Sequence, residues 1–303
     1  AYKYSTLTNT YTQLTNIPYN FYYGSAVAVG TDIYLLGSYD TSYRIYNYKY
    51  DTLTDTYTQL TNIPYSTYYI SSTAIGTDIY LFGGNNDSSA LNVAYKYNTL
   101  TDSYTQLTNI PYQFYGGSAV AIGTDIYILG GAGFAKRCYK YNTLTNTYTQ
   151  LTNIPYSFYY GSAVAVGTDI CMFGGNGGDT TAYKYSTISN TYTQLTNIPY
   201  SFVNGSVTTV NANIYLLGGA TRYSTKVQVL QFPSSDFDNN SIVLLNGSTY
   251  ETQLFTSELV DTSVKYPFSD VWLYEESEGG LEIDIPTYYG DGTQWVNIKN
   301  PPV

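Results

Sequence analysis

An all-β protein is what the sequence predicts, and three observations predict it. The phrase Tyr-Thr-Gln-Leu-Thr-Asn-Ile-Pro-Tyr occurs five times, at 11–19, 57–65, 104–112, 148–156 and 192–200. A second phrase follows each copy, Gly-Ser-Ala-Val-Ala-Val-Gly-Thr-Asp-Ile-Tyr-Leu-Leu-Gly at 24–37, with variants around 70–84, 117–131, 161–175 and 205–219. The apolar stretches inside both are short, β-branched or alternating, and are bounded by turn residues, which is strand chemistry. The five prolines, Pro18, Pro64, Pro111, Pro155 and Pro199, lie 46, 47, 44 and 44 residues apart. A fixed period of that size marks a repeat architecture, each repeat being one supersecondary unit.

Each unit reads as four strands. Ser-Ala-Val-Ala-Val is small and β-branched and suits a crowded strand near a central axis. Ile33-Tyr34-Leu35-Leu36 and its copies form a second apolar strand. It ends in Gly-Gly at 83–84, 130–131, 174–175 and 218–219, and in Gly37-Ser38 in the first copy, where the chain turns without a Cβ clash. Ala94-Tyr95-Lys96-Tyr97 alternates with a period of two and is the third strand. The fourth, Tyr104–Leu107, stops before Ile-Pro, because proline removes a ladder donor. Asn-Thr-Leu-Thr-Asp-Ser joins the last two as a hairpin loop. Four-stranded units repeated radially make a β-propeller.

These residues resemble the kelch family, whose motif has a Gly-Gly pair, a Tyr-Asp-like third strand, a spaced aromatic, then Leu and Pro. Tyr50-Asp51 keeps the Tyr-Asp pair, and the resemblance covers residues 1–232. The spaced aromatic is Tyr11, Tyr57, Tyr104, Tyr148 or Tyr192, where the family prefers Trp. Tyr22 and Ser25 stand where many kelch repeats carry Arg and His, so the family's Arg-dependent ligand chemistry does not carry over. The fold expected is thus a kelch-type β-propeller. The five inner and five outer strand pairs would close a five-blade ring. However, Lys226-Val227-Gln228-Val229 falls in a third-strand slot that such a ring has already filled. Six blades, with the first two strands upstream of Ala1, are favoured, and five are the alternative. The start at Ala1, without Met or a signal-like segment, reads as trimmed or processed.

The formal net charge of −10 is unevenly spread. Residues 1–232 hold ten acidic and ten basic side chains; residues 233–303 hold twelve acidic ones against Lys265 and Lys299. A boundary at Phe232–Pro233 follows, separating the propeller from an acidic C-terminal β domain over 233–303. Strand-like runs there are Ser241–Leu245, Thr249–Phe255, Val271–Tyr274, Leu281–Ile285 and Thr293–Ile298. The ending Tyr-Tyr-Gly-Asp-Gly-Thr-Gln-Trp-Val-Asn-Ile (288–298) resembles short modules of bacteriophage tail-fibre and other virion appendage proteins; it also reads as an ordinary β-hairpin.

The composition excludes much chemistry. There is no His, hence no His-based triad, imidazole base or His-ligated metal, and the copper–radical oxidase chemistry of some kelch-like scaffolds is ruled out. Cys138 and Cys171 are read as free thiols, since each replaces Ala or Tyr of the other copies; they leave the redox compartment open. No phosphate loop is present. Glu275, Glu276, Glu278, Glu282 and Asp284 lack calcium-loop spacing and read as a solvated acidic turn around Gly279-Gly280. No basic stripe exists for nucleic acid, and no apolar run is long enough to cross a bilayer, so neither is an expected partner. No cofactor, metal or catalytic residue is expected, and the protein reads as not an enzyme.

Comparing the repeats with one another locates a binding face. The Gly-Thr-Asp turns and Thr-Leu-Thr hairpins are nearly constant, whereas the loops after Gly-Gly differ in length and chemistry and share the opposite face with the Pro-Tyr loops. Candidate ligand residues in the Pro-Tyr loops are Tyr22, Tyr23, Tyr68, Tyr69, Tyr115, Tyr159 and Tyr160. Those in the variable loops are Tyr39, Tyr43 and Arg44, then Asn85, Asn86 and Asp87, then Phe134 and Arg137, Asn176 and Asp179, and Arg222 and Tyr223. Tyrosines offer flat apolar faces with a polar tip, and uncharged neighbours suit neutral sugars; about half of these rings are expected between blades instead. The leading expectation is a virion appendage protein recognising a cell-surface glycan, with multivalent avidity. Its partners would be a glycan or protein receptor and other virion or appendage subunits, with a homo-oligomer as a further option. Its location would be the virion, or else extracellular or at the cell surface. The alternatives are a kelch protein–protein interaction scaffold and a carboxylate-dependent glycoside-active enzyme.

Overall fold

A computed structural model describes residues 1–37, 46–65, 67–86, 88–175, 180–210 and 213–219. It also describes the backbone of the strands at 227–231, 244–246, 249–251, 275–277, 280–282, 288–290 and 295–297. The predicted strands form where the pattern puts them. A two-stranded hairpin opens the chain, β1 (Tyr2–Ser5) and β2 (Thr10–Gln13). Four complete antiparallel blades follow. Blade I is β3 (Ser25–Val29), β4 (Asp32–Leu36), β5 (Asn47–Asp51) and β6 (Thr56–Leu60). Blade II is β7 (Ser71–Ile75), β8 (Asp78–Phe82), β9 (Ala94–Asn98) and β10 (Ser103–Gln106). Blade III is β11 (Ser118–Ile122), β12 (Asp125–Leu129), β13 (Cys138–Asn142) and β14 (Thr147–Gln150). Blade IV is β15 (Ser162–Val166), β16 (Asp169–Phe173), β17 (Ala182–Ser186) and β18 (Thr191–Gln194). Every sheet is antiparallel in sequence order, the arrangement of propeller blades. The fourth strand of blade II ends at Gln106, one residue short of the expected Leu107, although the Leu107 amide still donates to the Ala94 carbonyl at 2.9 Å in the same register.

A three-stranded sheet comes next, β19 (Ser206–Val210), β20 (Asn213–Leu217) and β21 (Val227–Gln231). The third strand expected at Lys226–Val229 is therefore in place, one residue later. It pairs with β20 in the slot that a five-blade ring would have given to β1, and β1 pairs only with β2 among the described residues.

By internal contacts the chain divides into two compact units, 1–207 with 217–226, and 208–216 with 227–303. The charge boundary at Phe232–Pro233 lies outside the described residues. Within the second unit the C-terminal region contributes three short hairpins. They are β22 (Leu244–Asn246) with β23 (Thr249–Glu251), β24 (Glu275–Ser277) with β25 (Gly280–Glu282), and β26 (Tyr288–Gly290) with β27 (Trp295–Asn297). Of the acidic cluster, Glu275 lies opposite Glu282 in this pairing, and Glu278 and Asp284 lie outside the described residues. Residues 291–293 of the Gly-Asp-Gly-Thr segment lie outside the described residues. The run expected at Val271–Tyr274 lies outside the described residues.

One wedge of aromatic and aliphatic side chains fills the space between successive blades. The fully buried second strands contribute Leu36, Ile79, Leu81, Phe82, Ile128 and Met172, and the third strands Tyr97, Tyr141 and Tyr185. Each third-strand tyrosine points its hydroxyl at the turn of its own hairpin. Tyr50 donates to Asp55 at 2.8 Å, Tyr97 to Asp102 at 2.7 Å, and Tyr141 and Tyr185 to Asn146 and Asn190 at 2.8 Å. Those Asp and Asn residues sit at positive φ, which short polar side chains tolerate best after glycine. The same side-chain oxygens reach the neighbouring blade, where Thr15, Thr61, Thr108 and Thr152 donate their backbone N–H groups to Asp55, Asp102, Asn146 and Asn190 at 2.9–3.0 Å. One turn residue therefore closes its hairpin and clamps the next blade. These bonds, the Tyr50 hydroxyl first, hold the Asp55 carboxyl below the usual carboxylate range. Each complete blade also pairs its lysine with the second-strand aspartate, Lys49–Asp32, Lys96–Asp78, Lys140–Asp125 and Lys184–Asp169 at 3.0–3.6 Å.

Both cysteines are buried free thiols, and burial pushes the Cys138 thiol up to about 12. Position 138 carries a second lesson. In blade I the equivalent residue is the fully buried Asn47, which donates to the Tyr104 hydroxyl of the next blade at 3.1 Å. Cys138 faces Tyr192, whose hydroxyl donates to the Thr152 carbonyl at 3.2 Å. Blade II has Ala94 there, and the facing Tyr148 hydroxyl is buried with no partner. Tyr148→Phe is expected to be neutral or stabilising by up to about 1 kcal/mol, whereas Tyr104→Phe costs about 1–2 kcal/mol by orphaning an Asn47 donor. Urea unfolding of the two variants decides it; equal losses would contradict the account.

Candidate functional site

The loop that enters each blade carries the aromatic residues, and three positions of it have separate jobs. The first is Phe21, Thr67, Phe114, Phe158 or Phe202. Phe114, Phe158 and Phe202 are fully buried, so the expectation that about half the loop rings are structural applies to these. Their rings lie over the glycine that starts the next strand. A Cβ on Gly117, Gly161 or Gly205 would come within 2.4 Å of the Phe ring. Their carbonyls accept from the preceding blade, Gly84 N–H to Phe114, Gly131 to Phe158 and Gly175 to Phe202 at 2.7–3.0 Å.

The third position is Tyr23, Tyr69, Gly116, Tyr160 or Asn204, and all five take a left-handed conformation with φ between 53° and 63°. They form a chain of backbone hydrogen bonds from one repeat to the next. Tyr69 N–H donates to the Tyr23 carbonyl at 2.8 Å, Gly116 to Tyr69 at 3.3 Å, Tyr160 to Gly116, and Asn204 to Tyr160 at 2.8 Å. This cable draws side chains of different blades together. The Tyr23 and Tyr69 ring centroids are 4.1 Å apart, and those of Tyr69 and Tyr160 are 5.2 Å apart across Gly116. A Cβ on Gly116 would meet the Tyr160 ring at 2.6 Å, so the missing side chain makes room for that ring.

The second position completes the patch. Tyr22 lies 3.8 Å from Tyr23, Tyr68 lies 5.3 Å from Tyr69, Tyr159 lies 4.6 Å from Tyr160, and Tyr115 lies 6.4 Å from Tyr69. The Tyr22 hydroxyl donates to that of Tyr23 at 2.8 Å. Burial, then hydrogen bonding with Tyr23 and the nearness of Tyr160, push the Tyr69 phenol up, and burial does the same for Tyr160. All seven tyrosines named from the sequence in these loops therefore form one patch. Tyr22 is its most open member at 53% exposure.

A cleft of about 690 Å³ adjoins the patch, lined by Tyr115, Tyr159 and Tyr160, by Ser157, and by the loop Ala132–Arg137. Backbone bonds pin that loop: Ala132 N–H to the Tyr115 carbonyl at 2.9 Å, Arg137 to Phe134 at 2.9 Å, and Phe158 to Ala135 at 2.9 Å. The Arg137 guanidinium lies over the Phe134 ring at 4.4 Å and the Tyr112 ring at 5.4 Å. Phe134 and Arg137 thus reach the tyrosine patch through this cleft. Lys136 and Ser157 line it as well and were not singled out from the sequence; Lys136 at least lies in a loop marked as variable. Asn85 joins Tyr68 through paired backbone bonds at 3.0 and 2.8 Å, while the Asn86 side chain accepts from Ser89 N–H at 3.0 Å within its own turn. Tyr39, Tyr43, Arg44, Asp87, Asn176, Asp179, Arg222 and Tyr223 lie outside the described residues.

The arrangement offers flat rings, phenol hydroxyls and two cations. Among the described residues no carboxylate lines the cleft, and no three metal-ligating side chains converge.

Comparison with known proteins bears on the fold. The family model of the KLHDC2/KLHL20/DRC7 Kelch-repeats domain matches residues 23–219. No curated protein matches the chain. The solved structure of YjhT is similar, with a TM-score of 0.60 and 20% sequence identity, over 68% of this chain and 75% of that one. At that identity the likeness is one of fold.

Proposed function

The chain belongs to the kelch-repeat family, and on that premise we propose that it is a non-catalytic binding module whose ligand face is the tyrosine patch with its adjoining cleft. The observation that carries this is the left-handed cable, which gathers rings from separate blades into one surface on a rigid scaffold. A glycan is the ligand class that fits the chemistry. Sugar rings stack on phenol faces, and their hydroxyls match tyrosine, serine and asparagine partners. Pinned loops lose little entropy on binding. A virion or other surface appendage is the placement that suits such a module, with the likeness of 288–298 to tail-fibre modules as its support.

A glycan array spanning neutral and acidic saccharides tests the reading, with Tyr22→Ala and Tyr159→Ala as probes. Each substitution is expected to weaken binding at least about tenfold, the loss of one stacked ring. Glycan binding unchanged by both would remove the aromatic platform. Family membership favours a second reading, in which the same face binds a protein. Capture of a protein partner that both substitutions abolish, without any glycan signal, would select it.

A further inference from the structure

The loop Ala132–Arg137 has counterparts in the neighbouring blades, and they show what the fold requires of it. Blades II, III and IV make the same backbone bonds at the loop's exit. Gly83, Gly130 and Gly174 donate their N–H groups to the carbonyls of Val93, Arg137 and Thr181 at 2.8–2.9 Å. Ile110, Ile154 and Ile198 donate theirs to Asn92, Lys136 and Thr180 at 2.7–2.8 Å. The two slots are therefore equivalent from blade to blade, and of the three blades only blade III fills both with cations. The bonds run through main-chain atoms, so the fold has no need of a lysine or an arginine there.

These cations also differ from the other basic side chains of the blades. Lys49, Lys96, Lys140 and Lys184 each meet a second-strand aspartate. Lys136 and Arg137 meet no carboxylate among the described residues, and none lines the cleft they share. What holds Arg137 is aromatic. Its guanidinium lies over the Phe134 ring at 4.4 Å and the Tyr112 ring at 5.4 Å. Ring faces attract the charge but give its planar fork no oxygen to grip. The guanidinium is thus positioned by the rings, and its N–H donors are not taken by any acceptor among the described residues.

We propose that the cleft receives an acidic sugar, its carboxylate held by Arg137 and Lys136 and its ring set against Tyr115, Tyr159 and Tyr160, a role that rests on the glycan reading above and narrows it. A carboxylate offers two oxygens in one plane, which is the shape the guanidinium fork binds bidentately. Lys136 adds a second positive charge on the same cleft, and the tyrosines supply the apolar faces on which a sugar ring stacks. The loop's backbone is pinned at Ala132, Lys136 and Arg137, so little ordering is left to be done on binding.

The test uses the full chain and three matched oligosaccharides that differ only at the terminal sugar: a hexuronic acid, its methyl ester and the neutral hexose. Titration calorimetry at low salt is expected to show the acid binding at least about tenfold more tightly than the other two, with the margin shrinking as salt is added. Arg137→Thr installs the residue that blade IV carries in this slot with the same backbone bond. It is expected to abolish the margin while leaving the ester and the hexose unchanged. Lys136→Thr, again the blade IV residue, is expected to reduce the margin, and Tyr159→Ala to weaken all three saccharides. Equal binding of acid, ester and hexose that still depends on Tyr159 overturns the acidic-sugar assignment and leaves the glycan face standing. An equal fall for all three in Arg137→Thr overturns it as well, since the arginine would then only pack the loop. No saccharide binding at all, or capture of an acidic peptide alone, overturns both readings.

Discussion

Gly130→Ala is expected to destabilise the protein by more than about 3 kcal/mol, while Gly123→Ala costs only about 1–2 kcal/mol. Both glycines have nearly the same left-handed backbone, φ +66° and +59°, so the intrinsic strain of an alanine is shared. The surroundings differ. A Cβ on Gly123 meets nothing within 4 Å, whereas one on Gly130 would sit 1.8 Å from the Phe158 carbonyl oxygen. That oxygen cannot step aside cheaply. It accepts from Gly131 N–H at 3.0 Å, and the Phe158 amide is itself tied to the Ala135 carbonyl. Relieving the clash means separating blade III from the loop that enters blade IV. The midpoint of urea unfolding distinguishes the two variants, and equal losses would show that Gly130 serves only its turn. Gly83 and Gly174 face Phe114 and Phe202 with the same geometry, so the cost recurs at each junction.

This contact marks where sequence reading stopped. The Gly-Gly pairs were legible as turns, because a turn is a local property. Their closer constraint is a carbonyl of the loop that enters the following blade, which only the packing of successive blades supplies. The strands were legible almost to the residue, since alternation and proline placement set them locally. The tyrosine patch was half legible. The loops could be placed on one face, but which rings turn inward depends on the glycine that each Phe covers. The left-handed cable looked illegible, since tyrosine is a poor candidate for positive φ. The signal was there in the alignment of the repeats, however: Gly116 and Asn204 occupy the slot of Tyr23, Tyr69 and Tyr160, and glycine and asparagine are the residues that take this conformation most readily. Near-identical repeats behave as an internal mutation series, in which each exception names the constraint on its siblings. The exposed tips Leu53, Leu100 and Leu144 are the counter-case, constant from repeat to repeat yet 78–79% exposed, and nothing in the structure explains them.

The most informative exception is in blade II, and it leads to the second large effect. Where blade IV has Phe158 and Gly161, blade II has Thr67 and Ile70, both buried. The ring and the missing Cβ have been exchanged for a small residue and a branched aliphatic one, so that Ile70 fills volume the Phe ring takes elsewhere. Phe158→Thr alone leaves a void in a fully buried site and is expected to cost about 3 kcal/mol or more. Gly161→Ile alone drives a Cβ to 2.4 Å from the Phe158 ring and should cost a similar amount through overpacking. The double variant reproduces a solution the protein already uses, so it should recover most of the stability lost in either single variant. A double-mutant cycle in urea is expected to give a coupling energy of at least about 2 kcal/mol. Additive losses would mean that Thr67 and Ile70 are independent accidents, and that blade II holds its entry loop by some other contact.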